Sequence, residues 1–165
     1  MKNIVLIGMP GSGKSTVGVV LAKMMGFHFL DCDLVIQEKE GRLLSEIIEK
    51  EVCDGFLAVE DRINAGIICD RTVIATGGSA VYGENAMAHL KEIGTVVYLK
   101  ISYEELKNRL GDLKDRGVAM KEGQTLKDLY EERIALYEKY ADVIIDQNGK
   151  RIEATAREIR DIFGK

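Results

Sequence analysis

Lys2-Asn3-Ile4-Val5-Leu6-Ile7 runs straight into Gly8-Met9-Pro10-Gly11-Ser12-Gly13-Lys14-Ser15, and Thr16 follows in a stretch that reads as helix from Lys14 to Met25. The unbroken apolar run predicts a strand covered on both faces, as in a parallel sheet. The glycines behind it predict a loop whose backbone N–H groups converge on phosphate oxygens. A helix starting at Lys14 adds about half a unit of positive charge at its N-terminus. This is G-x-x-x-x-G-K-S in the strand–loop–helix context that gives the pattern its meaning. Lys14 then suits the β- and γ-phosphates, Ser15 suits Mg²⁺, and Thr16 can support the α-phosphate side. Gly11, Ser12, Gly13, Lys14, Ser15 and Thr16 are therefore the candidate nucleotide-binding residues, with a nucleoside triphosphate and Mg²⁺ as the implied ligands.

Beyond the loop, short β-rich runs alternate with longer helical ones, which predicts an α/β fold with a mainly parallel sheet. Strands are expected at Lys2–Ile7, Phe27–Leu30, Thr72–Thr76, Thr95–Leu99 and Val143–Ile145. Helices fill the gaps, including Leu34–Glu51, Cys53–Cys69, Tyr103–Leu110, Thr125–Tyr140 and Ile152–Ile162. Gly111–Gly123, with three glycines and mixed charge, breaks the alternation. A connection that long inside a compact domain suggests a lid or binding loop.

The 165 residues suit one domain, 1–165. With 23 basic and 27 acidic side chains the net charge is −4. Low aromatic content, no tryptophan and no basic stripe argue against nucleic-acid binding. No apolar run approaches the roughly 18 residues of a membrane span. Cys32, Cys53 and Cys69 are odd in number and form no C-x-x-C pair, which argues against a disulfide framework and a zinc site. Inert thiols in a reducing, cytoplasmic setting are the expectation, as is a monomer.

Many phosphate-loop enzymes end a later strand in a metal-holding Asp. Here Thr72–Thr76 leads into Gly77-Gly78-Ser79, without a carboxylate. The carboxylates instead follow the second strand, in Asp31-Cys32-Asp33. Parallel strand ends share one crevice, so this pair is expected beside the loop. As an extended Asp-x-Asp, both side chains would point the same way. One could serve Mg²⁺ and its waters, the other an acceptor hydroxyl. Asp33 is equally suited to cap the helix that follows. No guanine-reading Asn-Lys-x-Asp segment is present, so a small-molecule kinase fits better than a GTPase switch.

These residues resemble the shikimate kinase family, in the nucleoside monophosphate kinase-like group. The resemblance covers nearly the whole chain. It rests on GMPGSGKS at Gly8, Asp31-Cys32-Asp33, Gly55-Phe56…Glu60, Ala75-Thr76-Gly77-Gly78, Arg116, and Arg133…Leu136-Tyr137-Glu138…Ala141-Asp142. It implies a three-layer α/β/α fold with a five-stranded parallel sheet in the order 2-3-1-4-5. The acceptor-binding region would span about 33–60 and the lid about 111–123. The activity implied is transfer of the ATP γ-phosphoryl group to a hydroxyl of shikimate, a step of aromatic amino-acid biosynthesis. Asp31 would sit by the metal together with Ser15, and Asp33 would bind the acceptor hydroxyls and take the proton. Gly77 and Gly78 would offer N–H groups to the acceptor, and Arg133 would clamp its carboxylate. Arg109 would lie against the adenine, and Arg116 would reach the transferred phosphoryl group. Lys14, Asp33 and Arg116 would be the catalytic set.

The departures gather on the acceptor side. The family's Phe-Arg-x-x-Glu is Phe56-Leu57-Ala58-Val59-Glu60, so a carboxylate-clamping arginine is replaced by Leu57. Ser79 stands where a third glycine is expected, Arg-Pro-Leu-Leu becomes Arg116-Gly117-Val118-Ala119, and a proline becomes Ala135. Arg62 could substitute for the missing arginine. Otherwise the acceptor is a different small hydroxylated molecule, or the chain is a nucleotide-binding regulator without transfer activity.

Overall fold

The computed structural model describes residues 2–110 and 118–164. Five parallel strands form one sheet: β1 (Asn3–Ile7), β2 (His28–Asp31), β3 (Thr72–Ala75), β4 (Gly94–Lys100) and β5 (Val143–Asp146). Their order is β2-β3-β1-β4-β5, as the resemblance implies. Central β1 is buried along its whole length, which explains its unbroken apolar sequence. Asn3 is the polar exception. Its amide donates to the Cys69 and Ile93 carbonyls at 2.9 and 3.0 Å, and its oxygen accepts from the Thr72 N–H at 3.0 Å. One side chain thereby ties the lower edge of three neighbouring strands.

Alternate residues of the strands feed opposite faces. Ile4, Leu6, Val73, Val97 and Ile145 pack against α1 (Lys14–Met25) and α7 (Ile152–Phe163) through Val17, Leu21, Ala156 and Ile159. Val5, Ile7, Ile74, Val96 and Tyr98 pack on the other face, against Met87 and Leu90 of α4 (Glu84–Ile93) and Leu129 and Tyr137 of α6 (Leu126–Tyr140). The result is the three-layer arrangement. A smaller apolar cluster of Ile36, Ile47, Phe56, Ile63 and Ala119 lies apart from both. It joins α2 (Cys32–Glu40) and α3 (Leu44–Asn64), largely within the stretch 33–60 expected to bind the acceptor.

Two expected helices are redrawn. The stretch Leu34–Glu51 is broken at Gly41, which caps α2 with a left-handed φ of 66°. Arg42 then clips the junction, pairing with Glu51 at 2.8 Å and Glu40 at 3.5 Å. The break expected between Glu51 and Cys53 is a kink within α3, centred on Val52 at φ 53° and ψ 178°. The same helix stops at Asn64 rather than Cys69, because Ala65 and Gly66 turn the chain toward β3. Helix α5 (Tyr103–Arg109) precedes the expected lid, of which residues 111–117 lie outside the described residues. Among the described residues no helix is long and apolar enough to cross a membrane.

Candidate active site

The loop after β1 is wound by its own backbone. The Ser12 N–H donates to the Met9 carbonyl at 3.0 Å, and Gly13 caps α1 at φ 88°, a conformation that L side chains rarely adopt. Lys14 is only 7% exposed, and its Nζ donates to the Gly8 and Met9 carbonyls at 2.8 Å each. The ammonium therefore sits inside the loop's curl, where a polyphosphate would meet it. Burial lowers its pKa to about 8, partly opposed by Asp33, so it remains charged at neutral pH. Two residues brace the loop from outside. Gln147, just past β5, donates to the Ser12 carbonyl at 2.7 Å, and Arg109 donates to the Gly11 carbonyl at 3.3 Å. Arg109 also pairs with Glu105 at 2.8 Å, so its guanidinium stands at the rim of the nucleotide loop.

The acidic pair falls beside the loop, as expected from the shared crevice. Ser15 Oγ donates to Asp31 Oδ2 at 2.8 Å. The capping role belongs to Asp31, not Asp33: Asp31 Oδ1 accepts from the Asp33 N–H at 2.9 Å. Asp33 lies inside the first turn of α2, so the pair straddles a strand–helix junction rather than an extended segment. Ser15 and Asp31 together present a hydroxyl and a carboxylate at one point. That donor set fits Mg²⁺, which takes one or two protein oxygens plus phosphates and water.

Asp33 instead turns into a cavity of about 530 Å³. Its walls come from the phosphate loop, Lys14, Ser15, Phe56, Glu60, the Thr76–Ser79 turn, Ala119 and Arg133. Burial and the neighbouring Asp31 raise the Asp33 carboxyl, while Lys14 pulls it down. Gly77 and Gly78 are glycines for lack of room. A Cβ at Gly77 would lie 2.8 Å from both Asp33 Oδ1 and Glu60 Oε2; one at Gly78 would meet Pro10 at 2.6 Å and Arg133 Nη1 at 3.0 Å. The turn is anchored by Tyr137, whose hydroxyl donates to the Gly78 carbonyl at 2.6 Å and whose ring stacks on Tyr98.

Arg133 is 1% exposed, donates to the Ala119 carbonyl at 2.9 Å and lies over the Tyr82 ring. A solvated helix face, the ordinary setting of an isolated arginine, is thus excluded. Glu60 is 2% exposed and accepts from Ser79 Oγ at 2.6 Å. Burial raises its carboxyl to about 7, against the downward pull of the Ser79 hydrogen bond.

Sequence reasoning did not single out Gln147, Tyr137 as an anchor, or Glu60 as a cavity wall. All three act through tertiary contacts that leave no periodicity or spacing to read. Leu57 does not line the main cavity; it faces a small cleft with Cys53, Tyr82 and Lys121. Arg62 does not replace the missing arginine, because it points outward, 67% exposed, and pairs with Glu40 at 2.9 Å. Arg116 lies outside the described residues, whereas Val118 and Ala119 return to wall the cavity.

Comparison with known proteins agrees with this geometry. The family model described as shikimate kinase matches residues 10–163. A shikimate kinase of Thermodesulfovibrio yellowstonii is 39% identical, with 96% of this chain and 93% of that protein aligned. One from Moorella thermoacetica is 38% identical over 96% of this chain and 92% of its own length. Among solved structures, shikimate kinase from Acinetobacter baumannii in complex with shikimate superposes with a TM-score of 0.88 at 34% identity, covering 99% of this chain and 94% of that one. Sequence, fold and cavity agree that the chain belongs to the shikimate kinase family.

Proposed function

We propose that this chain transfers the γ-phosphoryl group of ATP to a hydroxyl of shikimate. One observation carries the reading: the phosphate loop and Lys14 share a single cavity with Asp33, the Gly77–Gly78 turn and Arg133. A phosphoryl donor and a hydroxylated, carboxylated acceptor can meet there. Members of the family use ATP and Mg²⁺.

Each residue then has a part. The N–H groups of Gly11, Ser12 and Gly13 cradle the phosphates, and Lys14 offsets the charge that spreads over the transferred group. Thr16 supports the α-phosphate side, and Arg109 covers the adenine. Ser15 and Asp31 would hold Mg²⁺, which neutralises phosphate charge. Asp33 orients the acceptor hydroxyl and accepts its proton as that oxygen bonds to phosphorus. The bond from phosphorus to the bridging oxygen breaks, and ADP leaves. Gly77 and Gly78 donate N–H groups to the acceptor, and Arg133 pairs with its carboxylate. The resemblance assigns the transferred phosphoryl group to Arg116, which lies outside the described residues, so that Lys14, Asp33 and Arg116 would form the catalytic set. Closing a lid excludes water as a competing acceptor. We read the enzyme as a monomer in the cytoplasm, whose reducing setting is in keeping with the three unpaired cysteines.

The test is ADP release with shikimate, run beside a panel of small polyols and hydroxy acids. Stimulation by shikimate well above the water background is expected. No stimulation by shikimate, with strong stimulation by another alcohol, would assign the site to a different acceptor. ATP binding without turnover on any alcohol would mark a regulator.

A further inference from the structure

Ser79, one departure from the family pattern, binds Glu60, and Leu57, another, lies about one helical turn before it on α3. Glu60 lies three positions after Leu57 on α3, and its Oε1 accepts from Ser79 Oγ at 2.6 Å. Its other oxygen, Oε2, is buried and has no hydrogen-bond partner among the described residues. Asp33 Oδ1 is buried and unpartnered in the same way. Both oxygens approach the same point, 2.8 Å each from where a Cβ at Gly77 would stand, and both residues wall the main cavity. Buried polar atoms without partners are rare, because each costs its desolvation without return. Two of them converging on the floor of a substrate cavity indicate a receptor that the substrate completes.

We infer that Ser79 and Glu60 form a specificity pair: Ser79 fixes the Glu60 carboxyl, whose free oxygen binds an acceptor hydroxyl adjacent to the one held by Asp33. The inference rests on the functional reading above. The serine hydroxyl here holds a carboxyl that has no arginine beside it at position 57. The chain therefore grips its acceptor by two neighbouring hydroxyls and one arginine, Arg133, rather than by two arginines on the carboxylate. Asp33 takes the reacting hydroxyl, and Glu60 takes the next. A carboxyl held up by burial can donate to that hydroxyl or accept from it. Ser79 does not touch the reacting atoms; it is a positioning residue.

The experiment compares Ser79→Ala, Glu60→Gln and the Ser79→Ala/Leu57→Arg double variant with the unmodified chain. Steady-state KM is measured for ATP, for shikimate, and for shikimate analogues that each lack one hydroxyl. Ser79→Ala is expected to raise the KM for shikimate about fivefold to tenfold, the scale of one buried hydrogen bond, without moving the KM for ATP. For the analogue lacking the Glu60-bound hydroxyl, the same substitution should leave KM unchanged. Leu57→Arg on top of Ser79→Ala should recover part of the loss, since an arginine three residues before Glu60 on the same helix can pair with its carboxyl. An ATP KM that stays constant shows that the variants are folded. Shikimate turnover with a KM indifferent to both Ser79→Ala and Glu60→Gln overturns this inference alone. Absence of shikimate-dependent turnover in the unmodified chain overturns the functional reading and this inference with it.

Discussion

Lys14 shows how far one side chain can depart from its solution behaviour when a loop is wrapped around it. Its ammonium is bound by two loop carbonyls and held at a pKa of about 8 by burial. In the free enzyme those carbonyls stand where phosphate oxygens would compete for the same charge. Lys14→Ala removes a charge aimed at the transferred group, so kcat/KM for ATP should fall on the order of a thousandfold. Near-normal turnover in that variant would contradict the assignment of the loop. The identity of this residue was legible in the sequence because G-x-x-x-x-G-K-S constrains local backbone. Arg133 was legible only through resemblance, since nothing in its own helix distinguishes it from Arg109. Glu60 was legible only as the end of the Gly55-Phe56…Glu60 segment that carried the resemblance, with no role of its own. Its place depends on Ser79 and Gly77, residues brought to it by the turn after β3.

At the scale of elements, the helices and strands were largely readable from their apolar patterns, and the misses have physical causes. Gly41 ends α2 by a local capping geometry, inside a run whose periodicity continues. The turn at Ala65–Gly66 likewise stops α3 early. The kink at Val52 is the more consequential feature. A β-branched residue at φ 53° is strained, and its side chain is 68% exposed, so burial offsets little of the strain. Val52→Gly relaxes that conformation at a small cost in chain entropy. It should raise the melting temperature by about 2–4 °C, corresponding to roughly 1 kcal/mol. A lower melting temperature in thermal denaturation would show that the kink is held by contacts of Val52 itself.

For the whole molecule, a net charge of −4 conceals a cavity whose floor is acidic and whose walls carry Lys14 and Arg133. Stability should record that arrangement as a function of pH. Glu60 faces Asp33, which pushes its pKa up, and Ser79, Arg133 and Lys14, which pull it down; burial dominates and sets it at about 7 against an ordinary 4.5. Between those values the native chain keeps a proton that the unfolded chain has lost. The contribution of Glu60 to stability is therefore greatest below about pH 4.5 and declines as pH rises to about 7. Glu60→Gln removes this dependence, so its melting temperature should gain on the unmodified protein between pH 5 and pH 8, on the order of 5 °C. A constant difference across that range would mean that Glu60 is already ionised in the native state.

The central claim is that the cavity joins a phosphate from ATP to a hydroxyl of shikimate. Phosphorus-31 NMR of a reaction containing the protein, ATP, Mg²⁺ and shikimate tests it most directly. A new phosphomonoester resonance should grow in step with ADP and disappear when shikimate is left out. Growth of inorganic phosphate alone, at the same rate with and without shikimate, would contradict it.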